Sequence, residues 1–210
     1  MIKVFIVDDH VLIREGLKKI LDSGNGFQII GEASNAFEAV EAIRKNSCDL
    51  LLLDVNLPGR NGLELVEEVK QLRPEIRTLV ISMSPEEHYA IRALKAGASG
   101  YITKDSASDT LITAINTIMS RGKYISPSVA QLLAGNFENL HSASPHSRLS
   151  NRELEIMSMI AEGKSIKNIA ESLSLSISSV NSYRSRIMGK MHMKSNTELT
   201  FYAIKNGLIG

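Results

Sequence analysis

The sequence predicts an α/β fold, a doubly wound parallel sheet of five strands, followed by a smaller all-α unit of four helices. Three observations carry that expectation. The first 120 residues alternate short apolar runs with segments of helical period, the pattern of repeated βα units. Leu50-Leu51-Leu52-Leu53 is apolar without interruption, as a strand covered by helices on both faces must be. Beyond Gly122 the strand pattern stops and only helical periodicity follows.

In chain order, strands are expected at Ile2 to Val7, Gln28 to Ala33, Leu50 to Leu53, Arg77 to Ser82 and Gly100 to Thr103. Helices are expected between and after them, near residues 10–22, 35–46, 62–72, 86–96 and 107–121. Pro127 opens a short helix to residue 134, and Gly135 to Ser147, rich in Ser, Asn and His, reads as linker. Four helices follow at about 151–162, 166–173, 177–191 and 196–206. Residues 1–122 therefore form one domain, 123–147 a linker with a short helix, and 148–210 a second domain, with the boundary near residue 140.

Composition narrows the class. With 43% hydrophobic and 22% charged residues the chain is an ordinary globular one, not collagenous, disordered or disulfide-stapled. A single cysteine, Cys48, cannot close an intramolecular disulfide, and no Cys/His cluster suggests zinc. No apolar stretch approaches the roughly 20 residues of a membrane helix, and Asp8 and Asp9 interrupt any leader-like start, so a cytoplasmic protein without membrane partners is expected. The net charge of +1 hides a division. Residues 1–142 carry 15 Lys and Arg against 18 Asp and Glu, whereas residues 143–210 carry 9 against 5. A basic C-terminal unit suits a DNA backbone, and an acidic N-terminal unit suits a cation site.

Ligands of open α/β sheets bind beyond the carboxyl ends of the strands. There the sequence places Asp8 and Asp9 after the first strand, Asp54 at the third, Ser82 at the fourth and Lys104 at the fifth. Three converging carboxylates repel one another unless a cation neutralises them, and an oxygen-only site of this kind suits Mg²⁺. A lysine and a hydroxyl opposite them supply what phosphoryl oxygens need. Any one of these residues is ordinary alone, as a cap, a turn or a surface charge; together they indicate phosphoryl transfer to a carboxylate.

Val7-Asp8-Asp9-His10, Leu53-Asp54-Val55-Asn56-Leu57-Pro58, Val80-Ile81-Ser82 and Gly97-Ala98-Ser99-Gly100-Tyr101-Ile102-Thr103-Lys104 resemble the motifs of two-component receiver domains over residues 1–120. The resemblance implies a flavodoxin-like fold with Asp54 as phosphoacceptor, taking its phosphoryl group from a sensor histidine kinase. It implies Mg²⁺ held by Asp9, Asp54 and the Asn56 carbonyl with support from Asp8, phosphoryl oxygens bound by Ser82 and Lys104, and a switch role for Tyr101. Asn56 and Ser84 would flank the water path to the acyl phosphate.

In the second domain Ser150 and Glu153 stand in capping-box register. The first helix should bury Leu154, Met157 and Ile160 or Ala161, and Gly163 should end it. Ile166, Ile169, Ala170 and Leu173 line the next helix, and Ser174-Leu175-Ser176 makes the turn of a helix-turn-helix over residues 166–188. On the following helix Val180, Tyr183, Ile187 and marginally Met188 should face the core. Ser178, Asn181, Ser182, Ser185, Gly189 and, at the edge, Arg186 lie opposite, a polar face that admits close approach to base edges. Arg184 should reach outward to a phosphate, and Lys167 joins the candidate DNA contacts.

Residues 148–208 resemble the LuxR/GerE output domain, notably Leu149-Ser150-Asn151-Arg152-Glu153-Leu154-Glu155, Ile160-Ala161-Glu162-Gly163-Lys164-Ser165 and Ile169-Ala170. Val180-Asn181-Ser182-Tyr183-Arg184-Ser185-Arg186 departs from the commoner Val-Lys-x-His form and is closer to the variant of BvgA- and EvgA-like regulators. The resemblance implies a NarL/FixJ-type response regulator, a non-enzymatic transcription factor with promoter DNA as partner, RNA polymerase as a further candidate, and a homodimer on phosphorylation. Leu199, Ala203 and Ile204 would lie on the dimerisation helix. Two alternatives stay open: a phosphotransfer node, and a constitutive DNA-binding protein with an unused receiver.

Overall fold

The computed structural model describes the backbone of residues 1–83, 86–138 and 144–209, with side chains for 1–83, 89–134 and 144–209. Ser84 and the expected boundary near residue 140 lie outside the described residues. The chain divides into two compact units, residues 1–136 and 137–210.

The first unit runs β1 (Ile2–Val7), α1 (Val11–Ser23), β2 (Phe27–Ala33), α2 (Ala36–Lys45), β3 (Leu50–Asp54), α3 (Gly62–Leu72), β4 (Arg77–Ser82), α4 (Glu86–Ala96), β5 (Gly100–Thr103), α5 (Ala107–Arg121) and all but the last two residues of α6 (Pro127–Glu138). The strands are parallel in the order β2-β1-β3-β4-β5. The chain leaves β1 toward β2 and returns to β3 on the opposite side, which opens a crevice between β1 and β3 at their carboxyl ends.

Alternation along the strands assigns the two faces. Val4, Ile6, Leu50, Leu52, Leu79, Ile81 and Ile102 pack with Leu17 and Leu21 of α1 and Leu111, Ala114, Ile115 and Ile118 of α5. Phe5, Val7, Leu51, Leu53, Val80 and Tyr101 alternate with them and are also buried. Each leucine of β3 is therefore fully enclosed, worth about 1.5–3 kcal/mol apiece in apolar transfer. Cys48, beside β3, is buried, and desolvation pushes its thiol up to about 11, so it is an inert small hydrophobe.

Two expectations change here. The helix opened by Pro127 does not stop near residue 134 but continues to Glu138. Within the expected linker, Pro145–Arg148 forms a 3-10 turn in which His146 Nδ1 lies 2.8 Å from the Tyr202 hydroxyl. Proline at the turn's start and a ring partner 56 residues away outweigh the polar composition.

The second unit holds α7 (Asn151–Ala161), α8 (Ile166–Ser172), α9 (Ile177–Met191) and α10 (Asn196–Lys205). The four share one device. Ser150, Ser165, Ser176 and Ser195 each precede a helix and accept from the backbone N–H three residues on, each cap worth about 1 kcal/mol. The capping box of Ser150 and Glu153 is complete. Gly163 follows α7 with a φ of +83°, a left-handed conformation that suits glycine.

Leu154, Met157, Ile160, Ala161, Ile169, Ala170, Leu173, Val180 and Ile187 are buried as expected, joined by Ile156, Met191 and Leu199. Burial in α7 extends beyond the apolar stripe. Arg152 and Glu155 are enclosed as an ion pair at 2.9 Å, and Arg152 also donates to the Leu173 carbonyl, bracing α7 against the α8–α9 turn. One other expectation needs correction. Tyr183 is only half-buried, because its ring lies under the Arg186 guanidinium rather than in the core. On α10 Leu199 and Ala203 share the inward stripe, while Ile204 and Phe201 are exposed.

Candidate functional site

Strand register assembles the crevice. Val7 pairs with Leu53, so Asp8, one residue on, stands level with Asp54, while Asp54 pairs with Ile81 and Ser82 with Thr103. Lys104, just past β5, donates its backbone N–H to the Ser82 carbonyl at 2.8 Å, which ties the ends of β4 and β5 together and aims its side chain across the sheet. The Lys104 ammonium lies 2.7 Å from both Asp8 and Asp54. Asp8, Asp54, Ser82 and Tyr101 are buried, whereas Asp9 is partly open to solvent.

Electrostatics follow from this burial. Desolvation raises the Asp54 carboxyl to about 6, against the opposing pull of Lys104 and with a contribution from the Asp8 charge. Its ionised form therefore prevails at neutral pH and gives way as pH falls through 6. Burial by itself would lower Lys104, but the Asp54 and Asp8 carboxylates outweigh it and the ammonium is held above its ordinary range. The Asn56 N–H donates to Asp54 Oδ1 at 3.1 Å and the His10 N–H to Asp8 Oδ1 at 2.8 Å, which fixes both carboxylates in place.

The loop after β3 is closed by a bridge between Asn56 and Asn61, and Asn61 caps α3 through the Leu63 N–H. Gly62 donates to the Val55 carbonyl at 2.7 Å. A Cβ on Gly62 would stand 2.3 Å from the Asp54 carbonyl oxygen, so only glycine lets the loop fold back on the end of β3.

Asp8, Asp9, His10 and Asp54 offer ligand atoms within 4.8 Å of one another. Three carboxylates form the hard oxygen set that a divalent cation such as Mg²⁺ takes, and receiver domains generally use Mg²⁺ in such an acidic pocket. Sequence reasoning quoted His10 but gave it no role; its Nδ1 lies 2.8 Å from Asp9 Oδ1. Arg14, unforeseen, donates to the Asp8 carbonyl at 2.7 Å, and its place one helical turn after His10 was the available signal.

On the second unit Lys167, Ser178, Asn181, Ser182, Ser185 and Arg186 are exposed and Arg184 is half-buried. The Ser182 hydroxyl donates to the Ser178 carbonyl at 3.0 Å, and Arg184 Nε to Asn196 Oδ1 at 2.8 Å. At the far end of α9, Lys190 reaches the buried Glu153 at 2.6 Å, linking that helix to the capping box of α7. Burial alone would raise Glu153, but the Lys190 and Ser150 bonds prevail and hold its carboxyl below the ordinary range. Among the described residues no helix is long and apolar enough to cross a membrane.

Comparison with known proteins agrees with both halves. Residues 4–116 match the response regulator receiver domain, and residues 147–203 match the LuxR family of bacterial regulatory proteins. The response regulator UvrY of Escherichia coli K12 is 37% identical over 99% of this chain and 96% of its own length. GacA of Pseudomonas aeruginosa is 36% identical over 100% of this chain and 98% of its own. A solved complex of the response regulator RcsB with DNA is 25% identical, covering 96% of each chain with a TM-score of 0.59. With receiver and LuxR-type segments in this order and relatives matched from end to end, the chain belongs to the two-component response regulators of the NarL/FixJ type.

Proposed function

We propose that Asp54 accepts a phosphoryl group from a sensor histidine kinase and that this controls binding of promoter DNA by the 166–188 helix-turn-helix, in a cytoplasmic transcription regulator that dimerises when phosphorylated. The observation that carries the reading is the convergence of Asp8, Asp54 and Lys104 within 2.7 Å contacts at the carboxyl end of the sheet.

The chemistry follows from the residues. Asp54 is the nucleophile: one of its carboxylate oxygens attacks phosphorus as the phosphohistidine nitrogen leaves. Asp9, Asp54 and the Asn56 carbonyl, with Asp8 behind them, would hold Mg²⁺, which supplies charge neutralisation for the transferring group. Lys104 and Ser82 would turn to the phosphoryl oxygens, exchanging one anionic partner for another. Withdrawal of Ser82 toward the phosphoryl group frees space beside Tyr101, the switch residue of this reading. Asn56 flanks the water approach and tunes the lifetime of the acyl phosphate.

DNA contact is assigned to Lys167, Ser178, Asn181, Ser182, Arg184, Ser185 and Arg186. The presence of RcsB as a DNA complex among the similar structures supports this half. The test is binding of promoter DNA with and without acetyl phosphate and Mg²⁺. Phosphodonor should tighten binding by the wild type and leave Asp54→Ala unmoved; equal binding by both proteins under both conditions would remove phosphorylation from the reading.

A further inference from the structure

We propose that Arg184 and Arg186 are two pre-set phosphate clamps on opposite flanks of α9, and that Asn196 and Tyr183 are the positioning residues that aim them. The proposal rests on the reading of α9 as the DNA-facing helix and adds how its charges are organised.

Residues two apart on a helix point about 200° away from each other, so Arg184 and Arg186 straddle the Ser/Asn face of α9. A helix seated in a major groove about 12 Å wide brings such flanking side chains against the two phosphate backbones, while the face between them meets base edges.

Each guanidinium is already restrained. Arg184 Nε donates to Asn196 Oδ1 at 2.8 Å, a bond that uses one of the five guanidinium N–H donors and keeps the terminal ones for phosphate. The Arg186 Cζ stands 4.3 Å from the Tyr183 ring centroid, and its Nε lies 3.4 Å from the Ser182 carbonyl oxygen. Stacking occupies the face of the guanidinium and leaves its edge N–H groups open to phosphate oxygens.

The chemical character of these partners decides the inference. Four other cations of this unit are paired with carboxylates, Arg152 with Glu155, Lys164 with Glu162, Lys167 with Glu171 and Lys190 with Glu153, whereas among the described residues Arg148, Lys194 and Lys205 are not. Among the described residues neither Arg184 nor Arg186 has a carboxylate within 4.0 Å. An amide and an aromatic ring orient a guanidinium without cancelling its charge, so both arginines keep their full attraction for phosphate and lose less rotamer freedom on binding. Phosphate contact positions a helix without reading sequence, and discrimination then falls to Asn181 and Ser185 between the clamps.

The experiment measures full-length protein by fluorescence anisotropy over a salt series. Two 30-base-pair probes are used, a random-sequence duplex pool and a duplex enriched from it by selection. Tyr183→Leu and Asn196→Ala should each weaken binding about tenfold and equally on both probes, and each should lower the log–log salt slope by about one. Tyr183→Phe, which keeps the ring, should bind as wild type. Asn196→Asp keeps an acceptor but neutralises Arg184, so it should bind more weakly than Asn196→Ala with an unchanged melting temperature. An unchanged slope in Tyr183→Leu and Asn196→Ala, or Asn196→Asp binding as tightly as wild type, would overturn the clamps while leaving DNA binding in place. Wild-type protein that binds neither probe overturns the reading of α9, and the clamps with it. Should Tyr183→Leu fail to fold, the two Asn196 variants decide the matter alone.

Discussion

The two units handle charge in opposite ways. At the receiver crevice Asp8 and Asp54 are buried and share one ammonium, Lys104, only 6% exposed. On α9 the half-buried Arg184 and the exposed Arg186 stand beside neutral groups, with Ser and Asn between them. The difference follows from what each site must do. Phosphoryl transfer to a carboxylate needs donors fixed in a low-dielectric crevice where each charge acts strongly, so its groups come from the ends of four strands. The DNA face proposed for α9 needs reach and unspent charge over a broad surface, which the polar side of one helix provides.

Three changes would break or sharpen that contrast. The largest effect is expected from Lys104→Met. Loss of the ammonium should slow phosphoryl incorporation from acetyl phosphate about 10³-fold, followed by mass spectrometry. The same variant should bind Mg²⁺ more tightly by calorimetry, because the protein's own cation no longer competes for Asp8 and Asp54. Unchanged Mg²⁺ affinity would show that the lysine does not hold the resting carboxylates.

Next is Gly62→Ala, which drives a methyl group against the Asp54 carbonyl. It should destabilise the first unit by about 3 kcal/mol in chemical denaturation, since the obstructing atom belongs to the backbone of a buried strand. An unchanged denaturation midpoint would mean that the loop can relax around it. The smallest effect is expected in the second unit. Ser176→Ala removes the cap of α9 and should cost about 1 kcal/mol, with Ser176→Asp restoring most of it. If thermal melts of the two variants coincide, the cap contributes nothing at this helix end.

Legibility in the sequence followed the range of the interactions. Strand runs such as Leu50 to Leu53 and the capping box at Ser150 were readable because their signals are local, a period or a spacing of three. Asp8, Asp54, Ser82 and Lys104 were readable as a set because each ends a strand. Burial of Arg152 with Glu155 was not readable: a spacing of three puts both on one helix face, and only the return of the chain at Leu173 encloses them. Tyr183 was misplaced because helical angle puts it near the core flank, whereas its ring is held half-exposed under Arg186.

By itself, then, the sequence determined the order of βα units, the α-helical second unit, and which residues end which strands, since periodicity and capping act within a few residues of the chain. Tertiary structure alone decided that Lys104 rests on both Asp8 and Asp54, that Gly62 must lack a side chain, and that α9 carries its arginines beside Asn196 and Tyr183. Those arrangements depend on register between strands and on packing between helices, contacts between residues that neither period nor spacing relates.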